Sequence, residues 1–252
     1  MISSHGQTDT GRRRTLNEDA ISAHDNLFIV CDGMGGRKAG EVASQLALDV
    51  IAAFVKRSGE DPEITWPYGF YRDASFDGNR LRTAIKLANR AVFRKAASSE
   101  DYTGMGTTVA ATIISKKRPH MMTYAHVGDS RLYLIRAGVI LQLTRDDSWA
   151  NLAWEGEEPD DTAKSSMKHV LTKALGAQDD VDFEVVDQEL NEEDLLLLCS
   201  DGLTNMVPDS RILDIVSTHR ADLEGACREL VSEANAQGGR DNVSVILVRY
   251  GS

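Results

Sequence analysis

The chain has 252 residues, 42% hydrophobic and 27% charged, and its 39 Asp and Glu outnumber 28 Lys and Arg to give a net charge of −11. This length fits one substantial core or two small ones, and the acidic balance argues against a nucleic-acid binder, which normally presents a basic face. Three cysteines cannot all pair, no window nears the roughly eighteen apolar residues of a membrane helix, and the N-terminus lacks an apolar signal core, so the expectation is a cytoplasmic protein without membrane contact.

In chain order, residues 27–31 (LFIVC) form a continuous apolar run that ends at Asp32, as a buried strand does. Helical spacing follows over 39–56, through Val42, Leu46, Val50, Ile51 and Phe54, and again over 79–95, through Leu81, Ile85, Ala88 and Val92. Strands are predicted over 109–115, 121–127, 131–135 and 139–143, with Gly138 turning a hairpin between the last two. Residues 147–168 (DSWANLAWEGEEPDDTAKSSMK) are polar and weakly periodic, and read as a surface excursion. Strands at 183–190 and 195–199 come next, separated by a Glu192-Glu193-Asp194 turn. Pro208, Asp209 and Ser210 start a helix over 211–218, a second helix covers 223–236, and a strand over 243–250 closes the chain. This order is α+β rather than alternating βαβ, and with no repeat or linker it predicts one domain over 1–252.

Three of the strands deliver an aspartate to their ends: Asp32, Asp129 and Asp201. A lone Asp-Gly is ordinarily a turn, but the instances accumulate. Asp32-Gly33 runs into Met34-Gly35-Gly36, Asp201-Gly202 repeats the pattern, Asp241 precedes the last strand, and Glu18 and Asp19 follow Arg12, Arg13 and Arg14. Carboxylates gathered at buried strand ends need cations to offset them. Hard oxygen donors without His or Cys at ligand spacing select Mg²⁺, Mn²⁺ or Ca²⁺. Two such ions lower the pKa of a water and clamp a phosphoryl group, while Arg14 is suited to hold phosphate oxygens; together these describe a phosphoesterase.

At this point the chain resembles the type 2C (PPM) family of metal-dependent serine/threonine protein phosphatases, in its compact bacterial form. The resemblance covers about residues 5 to 250 and rests on seven segments in the family's order: RTLNED at Arg14, VCDGMGG at Val30, GTT at Gly106, VGDSR at Val127, LTKALG at Leu171, CSDGLT at Cys199 and DNVS at Asp241. It implies a four-layer αββα sandwich of two antiparallel sheets flanked by helices. It further implies hydrolysis of phosphoserine and phosphothreonine by direct attack of a water bridging two Mn²⁺ or Mg²⁺ ions. Asp32 would bridge the two metals, Asp201 and Asp241 complete one, and Glu18 and the Gly33 carbonyl serve the other. Asp129 with Asp201 would form a weaker third site, Asp19 would act through metal-bound waters, and Arg14 would bind the substrate phosphate. Residues 147–168 fall where the family carries its flap. The implied partners are phosphorylated proteins, with a Ser/Thr kinase and its targets opposed, and the implied state is a monomer. Many animal members have His where this chain has Met34, which cannot donate a proton; the expected donor is then a water on the third metal.

Two other readings compete. Cys31 and Arg37 have the spacing of cysteine-dependent phosphatases (CDGMGGR), in which a thiolate attacks phosphorus. Asp32, however, would place a negative charge inside the anion-binding loop, and Val30 stands where a His usually precedes the cysteine. A binding module that has lost catalysis would ordinarily lack a core acid, whereas Asp32, Asp201 and Asp241 are all present. The six histidines show no ligand spacing, and Thr107 and Thr108 read as strand-packing or supporting residues.

Overall fold

The computed structural model describes residues 2–36, 39–61, 63–149 and 170–251. Most of the polar excursion at 147–168, with Trp154, and Arg37 of the thiolate reading lie outside the described residues.

The first sheet has the order β1-β11-β10-β7-β8, from β1 (Ile2–Asp9), β11 (Val243–Tyr250), β10 (Leu195–Cys199), β7 (Arg131–Arg136) and β8 (Val139–Gln142). The second has the order β2-β3-β5-β6-β9, from β2 (Asp19–His24), β3 (Leu27–Met34), β5 (Val109–Ile114), β6 (Met121–Val127) and β9 (Val185–Glu189). The short β4 (Gly106–Thr107) pairs with the end of β3. All pairings are antiparallel. Ala137 and Gly138 both adopt positive φ (50° and 79°) in the β7–β8 turn, the geometry of a two-residue hairpin.

Antiparallel strands with one face in water alternate apolar and polar residues, but β3 up to Cys31, β5 apart from Thr112 and all of β10 are continuous apolar runs. The structure supplies the reason, since both faces of each are covered. Phe28 and Val30 point inward to meet Leu132, Leu196, Leu198 and Ile246 of the other sheet. Ile29 and Cys31 point outward, beneath α1 (Ala39–Glu60) and α2 (Phe76–Ala96). On the other side Leu195, Leu197 and Cys199 pack under α4 (Asp209–Thr218) and α5 (Leu223–Ala236). The result is the expected four layers, helix-sheet-sheet-helix.

Two details depart from the sequence expectation. Of the predicted stripe on α1, Ile51 is fully buried in the core, whereas Val42, Leu46, Val50 and Phe54 lie only half-buried at its flank. The buried face of α1 begins with Ala39, Gly40, Ala43, Ser44 and Ala47, small residues that let the helix backbone approach closely, and continues through Leu48, Ile51 and Val55. The edge strands β1 (ISSHGQTD) and β2 (DAISAH) are polar enough to escape an apolar-run criterion; backbone pairing with β11 and β3 holds them instead.

Candidate metal centre

One end of the sandwich collects the acids. Asp32 and Gly33 sit near the C-terminal end of β3, and Asp129 follows the end of β6. Asp201 opens the short helix α3 (Asp201–Thr204) directly after β10, and Asp241 lies two residues before β11. Asp19 starts β2 opposite Asp32 in register. A pocket of about 660 Å³ is lined by Glu18, Asp32, Gly33, Asp129, Asp201 and Asp241, with Arg14 and Lys173 as its cations. Met34 and Thr108 complete parts of the wall.

Glycine is required at two of these points. A Cβ at Gly33 would stand 2.1 Å from the Gly40 carbonyl oxygen and 2.5 Å from that of Glu18, while one at Gly202 would stand 1.9 Å from the Asn242 oxygen. The strand, the start of α1 and the loops are therefore pressed together at backbone distance.

Hydrogen bonds fix the carriers of the acids. Thr108 Oγ1 accepts from the Asp32 amide at 3.0 Å and bonds Ser130 Oγ at 2.6 Å, while Thr107 Oγ1 donates to the Asp32 carbonyl at 2.8 Å. Asn242 Oδ1 accepts from the Glu18 amide at 2.8 Å, and its Nδ2 donates to the carbonyls of Thr10 and Leu16, both at 2.9 Å. Ser44 Oγ donates to the Glu18 carbonyl at 2.6 Å. The Asp147 carboxylate accepts from the Gly128 amide at 3.1 Å, steadying the loop that carries Asp129.

The electrostatics are those of a site short of positive charge. Burial first, then the charges of Asp19, Asp201, Asp129 and Asp241, holds the Asp32 carboxyl well above the usual carboxylate range. Burial and Asp201 push Asp129 up to about 7. Asp19 is raised as well, mainly by burial, against hydrogen bonds from Ser244 and Ser200, and its Oδ1 is buried without a hydrogen-bond partner. At the mouth, Arg14 Nη2 bonds Asp241 Oδ2 at 2.8 Å and its Nη1 lies 3.9 Å from Glu18 Oε2.

These residues fit hard divalent cations: a part-buried, mutually repelling set of carboxylates, an orphaned carboxylate oxygen and a backbone oxygen at a position only Gly can occupy. Among the described residues no three His, Cys, Asp or Glu side chains converge closely enough to enclose an ion by themselves. A bound ion would then draw further oxygen donors from water and the backbone, as Mg²⁺ commonly does.

Every residue expected to serve the metals or the phosphate lines this pocket except Asp19, which lies behind its wall and accepts from Ser200 Oγ at 2.8 Å. Lys173, 3.5 Å from Asp147 Oδ1, is a second pocket cation that sequence reasoning missed, although it stands within the LTKALG segment. The clasping role of Asn242 was also missed; its place beside Asp241 was the only signal. The cysteine reading finds no support here, because Cys31 is fully buried on the face of β3 beneath α1 and burial pushes its thiol pKa up.

A helix-flanked double sheet with a carboxylate pocket at one end and arginine at its mouth defines a metal-dependent phosphohydrolase class of enzyme. Residues 7–242 match the family pattern described as Protein phosphatase 2C. The chain is 37% identical to the serine/threonine phosphatase stp of Listeria welshimeri, over 96% of this chain and 93% of that one. Its fold is similar to the serine/threonine phosphatase PstP/Ppp of Mycobacterium tuberculosis, with a TM-score of 0.84 at 30% identity, covering 100% of this chain and 99% of that one. The catalytic domain of PstP in complex with two manganese ions is likewise similar, with a TM-score of 0.82 at 30% identity over 100% and 99% of the two chains. The chain belongs to the protein phosphatase 2C family.

Proposed function

We propose that this chain is one catalytic domain that hydrolyses phosphoserine and phosphothreonine in proteins, using a pair of Mn²⁺ or Mg²⁺ ions. The observation that carries the reading is the convergence of Asp32, Asp129, Asp201, Asp241 and Glu18 in a pocket with Arg14 at its mouth. In this reading Asp32, Asp201, Asp241, Glu18 and the Gly33 carbonyl would hold the two ions, with Asp32 serving both, Asp129 would help to hold a weaker third, and Asp19 would act from behind through water. When bound, the metal pair supplies the Lewis acidity that makes water nucleophilic at neutral pH and neutralises phosphate charge. The manganese-bound PstP domain supports the two-ion core.

The chain's own residues do the rest. Arg14 offers a planar fork of donors to phosphate oxygens and orients the ester in the pocket. Its contact with Asp241 ties substrate binding to the acid cluster. Thr108, Ser130 and Asn242 hold the ligand-bearing backbone in place before substrate arrives, so less reorganisation accompanies reaction. Met34 lines the pocket and cannot donate a proton, so we assign protonation of the leaving alkoxide to water held beside Asp129. If so, Asp129→Ala slows phenyl phosphate, whose leaving group needs a proton, far more than p-nitrophenyl phosphate; equal slowing of the two rejects this assignment.

The substrates implied are phosphoproteins of a bacterial Ser/Thr kinase system acting in the cytoplasm, with the chain as a monomer. The Listeria relative's name supports the phosphoprotein part, and among the described residues no helix is long and apolar enough to cross a membrane. Release of phosphate from a phosphothreonine peptide, dependent on Mn²⁺ and abolished by EDTA, tests the proposal; its absence under all metal conditions defeats it.

A further inference from the structure

We propose that a second cleft, at the opposite end of the second sheet, is a docking site for a short acidic peptide segment of a protein partner, seated by an apolar side chain. The cleft measures about 500 Å³ and lies where the β2–β3 turn, the β5–β6 turn, the end of α1 and the start of α2 meet. Strand β3 runs between the two pockets, with Leu27 at this cleft and Asp32 at the metal centre, and β5 does the same through Ser115 and Thr108. At about 3.4 Å per residue the two are separated by roughly 17 Å of strand, so the cleft is no extension of the acidic pocket.

Its floor is apolar, with Leu27, Ala52, Val55 and the ring of Phe76. Phe76 remains 38% exposed although it begins a 21-residue helix. It meets Trp66 edge-on at 6.0 Å, and Trp66 contacts Phe70 at 5.1 Å, so the floor continues onto an exposed aromatic strip. Phe70 and Tyr71 are nearly half exposed there. A volume of this order accommodates one or two anchoring side chains.

The rim is cationic in a chain whose net charge is −11. Lys56, Arg80, Lys116, Lys117 and Arg118 face Asp25, Glu60 and Asp77. Arg80 is bound to Asp77 at 2.7 Å, and Lys116 pairs with Asp25. Lys56, Lys117 and Arg118 have no carboxylate partner among the described residues, and Lys117 lies 5.0 Å from the Phe76 ring centroid. The positive end of the α2 macrodipole adds to the same field. An apolar floor beneath unpaired cations complements a segment that mixes Asp or Glu with Leu, Ile or Phe. A long polyanion such as nucleic acid or an anionic membrane fits less well. The surface is concave, Glu60 stands on the rim, and the rest of the molecule repels extended negative charge.

The test is fluorescence anisotropy of the full chain with a fluorescein-labelled peptide that alternates Glu with Leu and Phe, alongside a Gln-for-Glu control. The expected result is saturable binding of the acidic peptide only, weakened by salt, and weakened about tenfold or more in the Lys117→Glu/Arg118→Glu double variant. Both positions are exposed, so p-nitrophenyl phosphate hydrolysis and the thermal midpoint stay unchanged in that variant. The second variant, Lys56→Glu, moves in the same direction. The proposal is overturned if the parent chain ignores the acidic peptide or if the charge reversals leave its affinity intact. It is also overturned if phosphatidylserine vesicles or single-stranded DNA bind at this surface and the peptide does not. None of these readouts depends on catalysis, so failure here leaves the hydrolytic reading standing.

Discussion

Asp32 is the residue on which the pocket converges: it lines the pocket part-buried, and the charges of Asp19, Asp201, Asp129 and Asp241 all act on its carboxyl. Removing it deprives both proposed ions of a shared ligand. Asp32→Ala should therefore lower kcat/KM by about a thousandfold or more, roughly 4 kcal/mol of transition-state stabilisation, while the protein stays folded; steady-state kinetics with Mn²⁺ measures this. Arg14 differs in being half exposed, and in the proposed reading it would bind the phosphate in both ground and transition states. Arg14→Ala should chiefly raise KM, by about tenfold, with a smaller change in kcat; equal losses in kcat and kcat/KM would instead place its contribution in the transition state. Gly33→Ala presses a methyl group into the Gly40 carbonyl. It should lower thermal stability by about 1–3 kcal/mol and weaken Mn²⁺ activation through displacement of the neighbouring carbonyl, which calorimetry and metal titration separate.

At the scale of elements, the acids are useful only because five chain segments end at one place, and hydrogen bonds of long sequence separation hold those ends together. Asn242 ties the 10–18 loop to the start of β11 through three bonds. Asn242→Ala leaves buried groups unpaired and should cost about 1–3 kcal/mol, with a higher Mn²⁺ concentration for half-activation; an unchanged metal titration would reduce Asn242 to a purely structural part. These clasps mark where the sequence stopped being readable. Asp32, Asp129, Asp201 and Asp241 were legible because each follows an apolar run or a glycine turn, and such patterns are local. Thr108 beside Ser130, Ser200 on Asp19 and Asn242 on Glu18 join residues 22, 181 and 224 positions apart, and no local pattern encodes such pairs. The same limit hid β1 and β2, whose side chains are polar because they sit at sheet edges. Of the buried face of α1 only Ile51 was legible, for another reason: close helix-sheet approach selects Ala43 and Ala47, which weigh little on a hydrophobicity scale. Ala47→Leu should therefore destabilise the protein by about 1–3 kcal/mol despite its added apolar surface.

For the whole molecule, the four-layer sandwich isolates chemistry at its rim from the thiols inside it. Cys31, Cys199 and Cys227 are free and buried, so the native protein should resist iodoacetamide near neutral pH and react only after unfolding. Burial raises the Cys227 thiol from 9.0 to about 12. The unfolded chain thus ionises this thiol first as pH rises, and its contribution to stability is intact below about 9 and is lost progressively from there toward 12; denaturant midpoints across that window measure the decline. The central claim is that the rim carboxylates, through divalent cations, perform phosphoester hydrolysis without any nucleophilic side chain. Its most direct test is hydrolysis of p-nitrophenyl phosphate and of a phosphothreonine peptide by the parent chain, Asp32→Ala and Cys31→Ser, each with Mn²⁺ and with EDTA. Turnover of both substrates should require Mn²⁺, survive Cys31→Ser and disappear in Asp32→Ala. Turnover that persists in EDTA and in Asp32→Ala but vanishes in Cys31→Ser would contradict that claim.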